Sequence, residues 1–541
     1  MTTQAAPPPE ADVEIERPWW ALIAVLIGVA LIVLEGSLVN VLIPTIVDDL
    51  KIDRTQVLWV TSIYSLIFAA FLITFGTLSD RVGRRRLFLL GTVTFLVGSV
   101  LAGAATGGTM LIVARAVEAF GGAMMLPTSI ALINVHFRGD KRAAAFGLWG
   151  AVFGGMAAFG PLLGGWMAQD FSWRWAFYIN IPVGIISILL VVRFVPASRT
   201  NPDAGGVEPL GVILSALGLA LVVYGLIQGQ AYGWWLALND IAIGPFTVGK
   251  GDISPVPIAL FLGVLVLVGF VLWELHRTRR GQSVMMDLSL FRIRRYSYGN
   301  IVATIVSLGE FAALFMLPLW LQAVAGYDPI ETGALIAVLG VGTVLAGGGA
   351  REVARAMGPT RLVRFGMVLE VIGLLGVAFT LSTQWSAWWL AIPLFVYGIG
   401  VGFDTAQLTN VVLEDVPPMK SGNASSMTST FRQVGSTLGS AALGTLLFSA
   451  LAASLTASLR ADASIPEEQR ASIVDEVVNT SGQAIIALER NPQLGTAADD
   501  AKTAYTDAAR VMTLAAAGCI VVGLGFSFGL PSDRRRREDE E

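Results

Sequence analysis

The sequence predicts an all-α polytopic membrane protein, and three observations carry that reading. First, 54% of the 541 residues are hydrophobic and only 14% are charged, with a mean hydropathy of +0.68. A soluble domain carries about 25% charged residues, so too few remain here to coat a globule of this size. Second, the apolar residues come in blocks of about 20 or more, the length that crosses a bilayer at 1.5 Å per residue. Third, Lys and Arg alternate between the two sides, loop after loop.

Fourteen apolar blocks are predicted as spans: 19–46, 57–78, 86–106, 109–135, 143–168, 175–196, 207–229, 254–276, 297–324, 330–350, 361–382, 386–413, 421–453 and 504–530. Take the N-terminus as cytoplasmic. The cytoplasmic segments then hold 25 of the 36 Lys and Arg, among them Arg81, Arg84, Arg85 and Arg86 after the second block and Arg534 to Arg537 at the end. The alternation supports an even number of spans and places both termini in the cytoplasm. The expected location is the inner (plasma) membrane, multi-pass. Residues 1–18 read as a disordered cytoplasmic tail and 531–541 as a charged one. The start lacks a basic n-region and a small-residue cleavage site, so no signal peptide is read.

Other classes are excluded on composition. The net charge of −4 gives no case for nucleic acid, and the single Cys519 allows no disulfide framework. His136 and His276 are read as loop residues, and no metal-ligand cluster is visible. No Gly-Lys-Ser/Thr phosphate loop is present, which argues against an ATP-driven pump. No nucleophile constellation lies in the spans, so no enzyme is expected. No metal or cofactor is called for. Two predicted outside loops are long. Residues 230–253 carry Tyr232, Trp234 and Trp235, which suit the interface. Residues 454–503 are acidic, and Ser464-Ile465-Pro466-Glu467 reads as a capping box with Pro inside the first turn. That loop is either a solvated cap or a docking surface for a periplasmic or envelope partner.

Five stretches carry a more specific signal. The loop after block 2 reads Gly76-Thr77-Leu78-Ser79-Asp80-Arg81-Val82-Gly83-Arg84-Arg85-Arg86. Gly76 and Gly83 allow close approach and a tight turn. Asp80 suits a helix N-terminus, and the arginines suit carboxylates or headgroups. Block 1 holds Leu34-Glu35-Gly36-Ser37 through Val39-Asn40 to Pro44. Block 4 holds Arg115-Ala116-Val117-Glu118-Ala119. Block 5 holds Gly154, then Gly160-Pro161-Leu162-Leu163-Gly164-Gly165. Block 6 opens Trp173-Arg174-Trp175-Ala176-Phe177-Tyr178-Ile179-Asn180-Ile181-Pro182.

The loop resembles the G-x-L-x-D-R-x-G-R-[KR]-[KR] signature of the major facilitator superfamily. The other four stretches resemble its fourteen-span drug:proton antiporter branch, of multidrug efflux type. Glu35 stands where that branch usually has Asp, and Glu118 where it has Gln. Residues 351–364 fall where a degenerate second copy of the loop signature belongs. The resemblance implies two pseudo-symmetric six-helix bundles, 19–196 and 297–530, with two inserted spans in 197–296. It implies alternating access, with Gly76, Asp80, Arg81, Gly83 and Arg84 as the gating loop. Gly154, Gly160, Pro161, Gly164 and Gly165 then form the antiporter helix, which shapes or seals a cavity; ordinary tight packing is compatible with that.

Charges inside spans cost about 2.5–3.5 kcal/mol each, so each is a candidate. Glu35 either carries a proton, contacts a cationic substrate, or is a structural carboxyl. Arg115 and Glu118 are three apart on one helix face, as a structural lock or as a proton-linked switch. Glu310 is the span-order partner of Glu35, and Asp404 follows the close-packing run Gly398, Gly400 and Gly402. Both are candidates for a cavity. Glu370 is read as near the headgroups, paired with Arg364, and Arg432 as reaching the cytoplasmic surface.

The expected function is proton-coupled export of small amphipathic, cationic drugs or toxic compounds by antiport, driven by the proton gradient and the membrane potential. The alternative keeps the fold and exports a lipid or cell-envelope intermediate. A sensor or an uptake permease is disfavoured. Expected partners are the substrate, protons and membrane lipid.

Overall fold

The structure is a computed structural model that describes residues 17–52, 54–196, 208–238, 240–243, 246–282, 284, 286–417, 420–462, 465–491 and 494–531. Both predicted tails lie outside the described residues, apart from Arg17, Pro18 and Pro531.

The described chain is helical almost throughout. The N-terminal group is α1 (Pro18–Leu50), α2 (Arg54–Val82), α3 (Arg84–Gly103), α4 (Gly108–His136), α5 (Gly139–Asp170), α6 (Trp175–Tyr178) and α7 (Asn180–Phe194). Next come α8 (Pro209–Tyr232), the strands β1 (Ile241–Ile243) and β2 (Phe246–Val248), and α9 (Pro255–Arg279). The C-terminal group is α10 (Arg294–Ala323), α11 (Pro329–Met357), α12 (Pro359–Thr380), α13 (Ala391–Leu413), α14 (Ser421–Ala461), α15 (Glu467–Asn479), α16 (Ala484–Glu489) and α17 (Gly495–Ser527).

Each predicted block holds a helix. Among the described residues, eleven helices are long and apolar enough to cross a membrane, with shorter apolar stretches at Ile63–Ser79 and Ala144–Phe153. The sixth block is broken into α6 and α7. Pro182 explains the break: it has no N–H to give the carbonyl of Tyr178, so a new helix starts at Asn180.

Helices α1–α7 pack among themselves, and so do α10–α14 with α17. The two groups meet along α5 against α11 and α13, and along α14 against α2 and α4. Glycines set these distances. A Cβ at Gly147 would sit 2.6 Å from the Gly347 carbonyl, and one at Gly150 2.9 Å from the Ala406 nitrogen. Small residues permit such backbone approach where lipid offers no hydrophobic drive. Helix α8 packs on α9, and also touches both α2 and α14.

The loop glycines repeat. Gly83, between α2 and α3, has φ 100°, and Gly358, between α11 and α12, has φ 87°. Both are left-handed values that favour glycine. The same backbone device therefore joins corresponding helices in the two groups.

Several expectations are corrected. The loop 230–253 contains a β1–β2 hairpin, and Trp234 Nε1 donates to Thr445 Oγ1 of α14 at 3.0 Å. His136 and His276 lie in the last turns of helices α4 and α9 instead of in loops. The loop 454–503 is a packed cap: α14 and α17 extend into it, and Ile465, Ile473, Val477, Ile485 and Ala501 are buried. Pro466 is the N-cap of α15, outside its first turn, while Ser464 lies outside the described residues. A capping box does occur at α11, between Asp328 and Glu331.

At the far end of α1, Asp49 pairs with Arg174 and accepts from Trp173 Nε1 at 3.1 Å. The Arg174 hydrogen bond, then that of Trp173, holds the Asp49 carboxyl below its ordinary range. A lowered carboxyl adds stability that is fully present above its unfolded value, about 3.9, and lost as pH falls through the folded value. The melting-temperature gap between wild type and Asp49→Asn is thus expected to be flat near neutrality and to close on acidification. A gap that persists in strong acid would contradict the latch.

Candidate functional site

The charged residues predicted inside spans form two clusters, one in each helical group. In the N-terminal group, Arg115 of α4 donates through Nη1 to Glu35 Oε1 of α1 at 2.8 Å and to Glu118 Oε2 at 3.1 Å. Ser99 of α3 donates to Glu118 Oε1 at 2.7 Å. Asn180 of α7 donates to Glu35 Oε2 at 2.9 Å and to Ser99 Oγ at 3.1 Å. The five side chains close a ring. Tyr64 of α2 covers it, with the Arg115 guanidinium 4.5 Å from the ring centroid.

The sequence builds this ring locally. Arg115 and Glu118 share a helix face at i,i+3 spacing. Gly98 admits Glu118, since a Cβ there would come within 2.6 Å of Glu118 Cγ. The helix break at Asn180 turns its amide inward. The ring is sealed, with Glu35 1%, Arg115 2% and Glu118 0% exposed. One guanidinium faces two carboxylates, so full ionisation leaves one net negative charge away from water. Gaining or losing a proton there changes which hydrogen bonds the ring can make.

In the C-terminal group, Glu310 of α10, Glu370 of α12 and Asp404 of α13 each bring a carboxylate oxygen within 4.8 Å of the others. That is close enough to share a proton or another small cation. All three are buried. Arg432 of α14 lies 4.0 Å from Glu310 and donates to Thr405 and Thr409. Gly366 and Gly400 bring α12 and α13 together: a Cβ at Gly400 would meet Glu370 Cγ at 2.7 Å, and one at Gly366 the Asp404 nitrogen at 2.9 Å. Two readings are corrected here. Glu370 is fully buried instead of near headgroups, and Arg364 binds the carbonyl of Ser527. Arg432 turns into the bundle, not to the surface.

The predicted gating loop lies at the seam between the groups. Gly83 turns the chain, and Arg84 Nη2 donates to Ser421 Oγ at the start of α14, 3.0 Å away. Near it Asn423 donates to Thr77, Arg142 to Asn410, and Ser425 to the Pro127 carbonyl. Gly76 accepts from the Ser79 hydroxyl, and Arg81 is partly buried. The Asp80 side chain, and the surroundings of Gly154 and Pro161 in α5, lie outside the described residues. Gly160 packs on Ser37 of α1, Gly164 and Gly165 are buried, and Gly155 meets Val344 of α11.

Two small hollows, each of about 10 Å³, are lined mostly by apolar side chains and touch none of the candidate acids. The acids sit inside their own helical groups because their partners come from neighbouring helices of the same group. Sequence reasoning missed Tyr64, Ser99, Asn180 and the role of Glu370. Asn180 stood in a quoted motif and was legible there; a lone Ser or Tyr in an apolar span gives no signal.

Similarity to known proteins follows the same lines. The Major Facilitator Superfamily pattern matches residues 25–440. The chain is 32% identical over 471 residues to the "Probable actinorhodin transporter" of Streptomyces coelicolor, covering 84% of this chain and 76% of that one. It is 29% identical over 524 residues to the "Multidrug efflux pump LfrA" of Mycolicibacterium smegmatis, covering 94% and 96%. In fold it is similar to the human organic anion transporter MFSD10 (TETRAN), with a TM-score of 0.57, 12% identity and 94% and 99% coverage. The chain belongs to the Major Facilitator Superfamily and is a membrane-spanning transporter of small molecules.

Proposed function

We propose that this transporter exports amphipathic, cationic drug-like molecules in exchange for protons. It does so across fourteen spans of the inner membrane, with both termini in the cytoplasm. The observation that carries this reading is the sealed ring of Glu35, Arg115, Glu118, Ser99 and Asn180. It holds one more acid than base where no water reaches it. Similarity to a multidrug efflux pump supports the cargo class.

In the proposed cycle the helical groups α1–α7 and α10–α14 with α17 rock as two bodies about the α5–α11 and α2–α14 seams. A proton from outside neutralises the ring and loosens the hold of Arg115 on Glu118. Substrate competes for the ionised form and leaves outward. The membrane potential contributes about 2.3 kcal/mol per charge per 100 mV to inward proton flow.

The test is transport of ethidium into inside-out proteoliposomes under an imposed pH gradient. Glu35→Gln is expected to abolish gradient-driven accumulation while leaving downhill exchange. If Glu35→Gln, Glu118→Gln and Glu310→Gln all accumulate ethidium like wild type, the coupling assignment is wrong.

A further inference from the structure

We propose that Glu310, Glu370 and Asp404 form a second proton store, separate from the Glu35 ring, so that one cycle moves more than one proton. This rests on the proton-coupled reading above and adds to it a site and a stoichiometry.

Three helices deliver three carboxylates to one point, and an oxygen of each lies within 4.8 Å of the others. Glu370 and Asp404 are 0% exposed, yet among the described residues neither oxygen of either has a hydrogen-bond partner, and Glu310 Oε1 has none. A buried carboxylate left ionised without donors is strongly disfavoured. Among the described residues, Tyr397 and Arg432 are the titratable and charged groups that face the cluster. Tyr397 of α13 spends its hydroxyl on the Glu310 main-chain carbonyl at 3.5 Å. Arg432 of α14 lies 4.0 Å from Glu310 and donates to the hydroxyls of Thr405 and Thr409.

One guanidinium against three acids leaves two negative charges. Two protons neutralise them, and they belong to the cluster, not to any single acid. In the ring of the N-terminal group one proton does the same. Each proton comes from water on one side, forms one O–H bond on a carboxyl oxygen, and returns to water on the other side. Gly366 and Gly400 hold α12 and α13 at the spacing that keeps the acids together, so the grouping is built into the backbone.

Two measurements test it. In proteoliposomes, the proton-to-ethidium ratio is read from the gradient at which net flux reverses, for wild type and E370Q. The ratio is expected above one in wild type and lower by a whole proton in E370Q. An unchanged ratio overturns the proposal. Independently, infrared spectra of the purified protein read the C=O stretch of protonated carboxyls at neutral pH. E370Q and D404N should each remove intensity, and the loss should add to that caused by E35Q. No loss overturns the store. So does a band that disappears on adding sodium or calcium chloride at fixed pH, which would make the triad a metal site. If wild type moves no ethidium, the transport reading fails, and the infrared measurement alone decides the store.

Discussion

Arg115→Gln is expected to abolish transport and to lower the stability of the folded transporter by about 3–5 kcal/mol, the usual cost of stripping one partner from a buried ion pair. Glutamine keeps most of the side-chain length and removes the charge. Glu35 and Glu118 then lose the donor they share, at 2.8 and 3.1 Å. Both must hold protons to stay buried, so neither can release one to drive exchange. Adding Glu35→Gln to Arg115→Gln removes one orphaned acid, and the double variant should regain part of the stability and none of the transport. This non-additivity is the signature of direct coupling. Thermal melts of purified protein, with ethidium flux in proteoliposomes, make the comparison. A single variant that melts like wild type would mean that Arg115 does not bind the two carboxylates together.

Gly147→Leu is expected to block transport by a different route, leaving each helical group folded. The side chain would point at the Gly347 carbonyl, where even a Cβ falls 2.6 Å away. Backbone cannot yield there as a side chain can. Overpacking of this kind costs about 1–3 kcal/mol, which shifts a two-state equilibrium roughly 5–150-fold. The closed seam, with Arg84 on Ser421 and Asn423 on Thr77, should therefore be populated far less. Ser425, fully buried in the seam, reports the change. With Cys519 replaced by serine, a cysteine at 425 should react slowly with a water-soluble maleimide in the parent and fast in Gly147→Leu. Equal rates would show that the seam does not depend on that glycine.

Much of the fold was legible in the sequence, for a physical reason. Apolar blocks and alternating Lys and Arg report the bilayer directly, so helix placement followed from solvent alone. The charges Glu35, Arg115, Glu118, Glu310 and Asp404 stood out because hydrocarbon makes them expensive. Which of them meet was less legible. Arg115 with Glu118 followed from helical spacing, but Glu35 lies 80 positions from Arg115, and only packing of α1 on α4 joins them. Glu370 was misplaced because depth along a helix was read from its block boundary. The break before Asn180 needed Pro182 to be read as a stop signal, and the β1–β2 hairpin is too short for periodicity to reveal. The packed cap of residues 454–503 hid for another reason: α14 and α17 continue beyond the apolar stretch without any change in helical pattern.

That continuity has a mechanical meaning. Helix α14 runs unbroken for 41 residues, about 60 Å at 1.5 Å per residue, roughly twice the hydrocarbon thickness. In the proposed rocking cycle it would act as a lever arm, packed on α10 and α17 of its own group. A tilt of roughly ten degrees at the inner end would sweep the outer tip by about 10 Å, given that length. In that cycle, motions of a few ångströms deep in the bilayer would be amplified where antibodies, spin labels or fluorophores can reach.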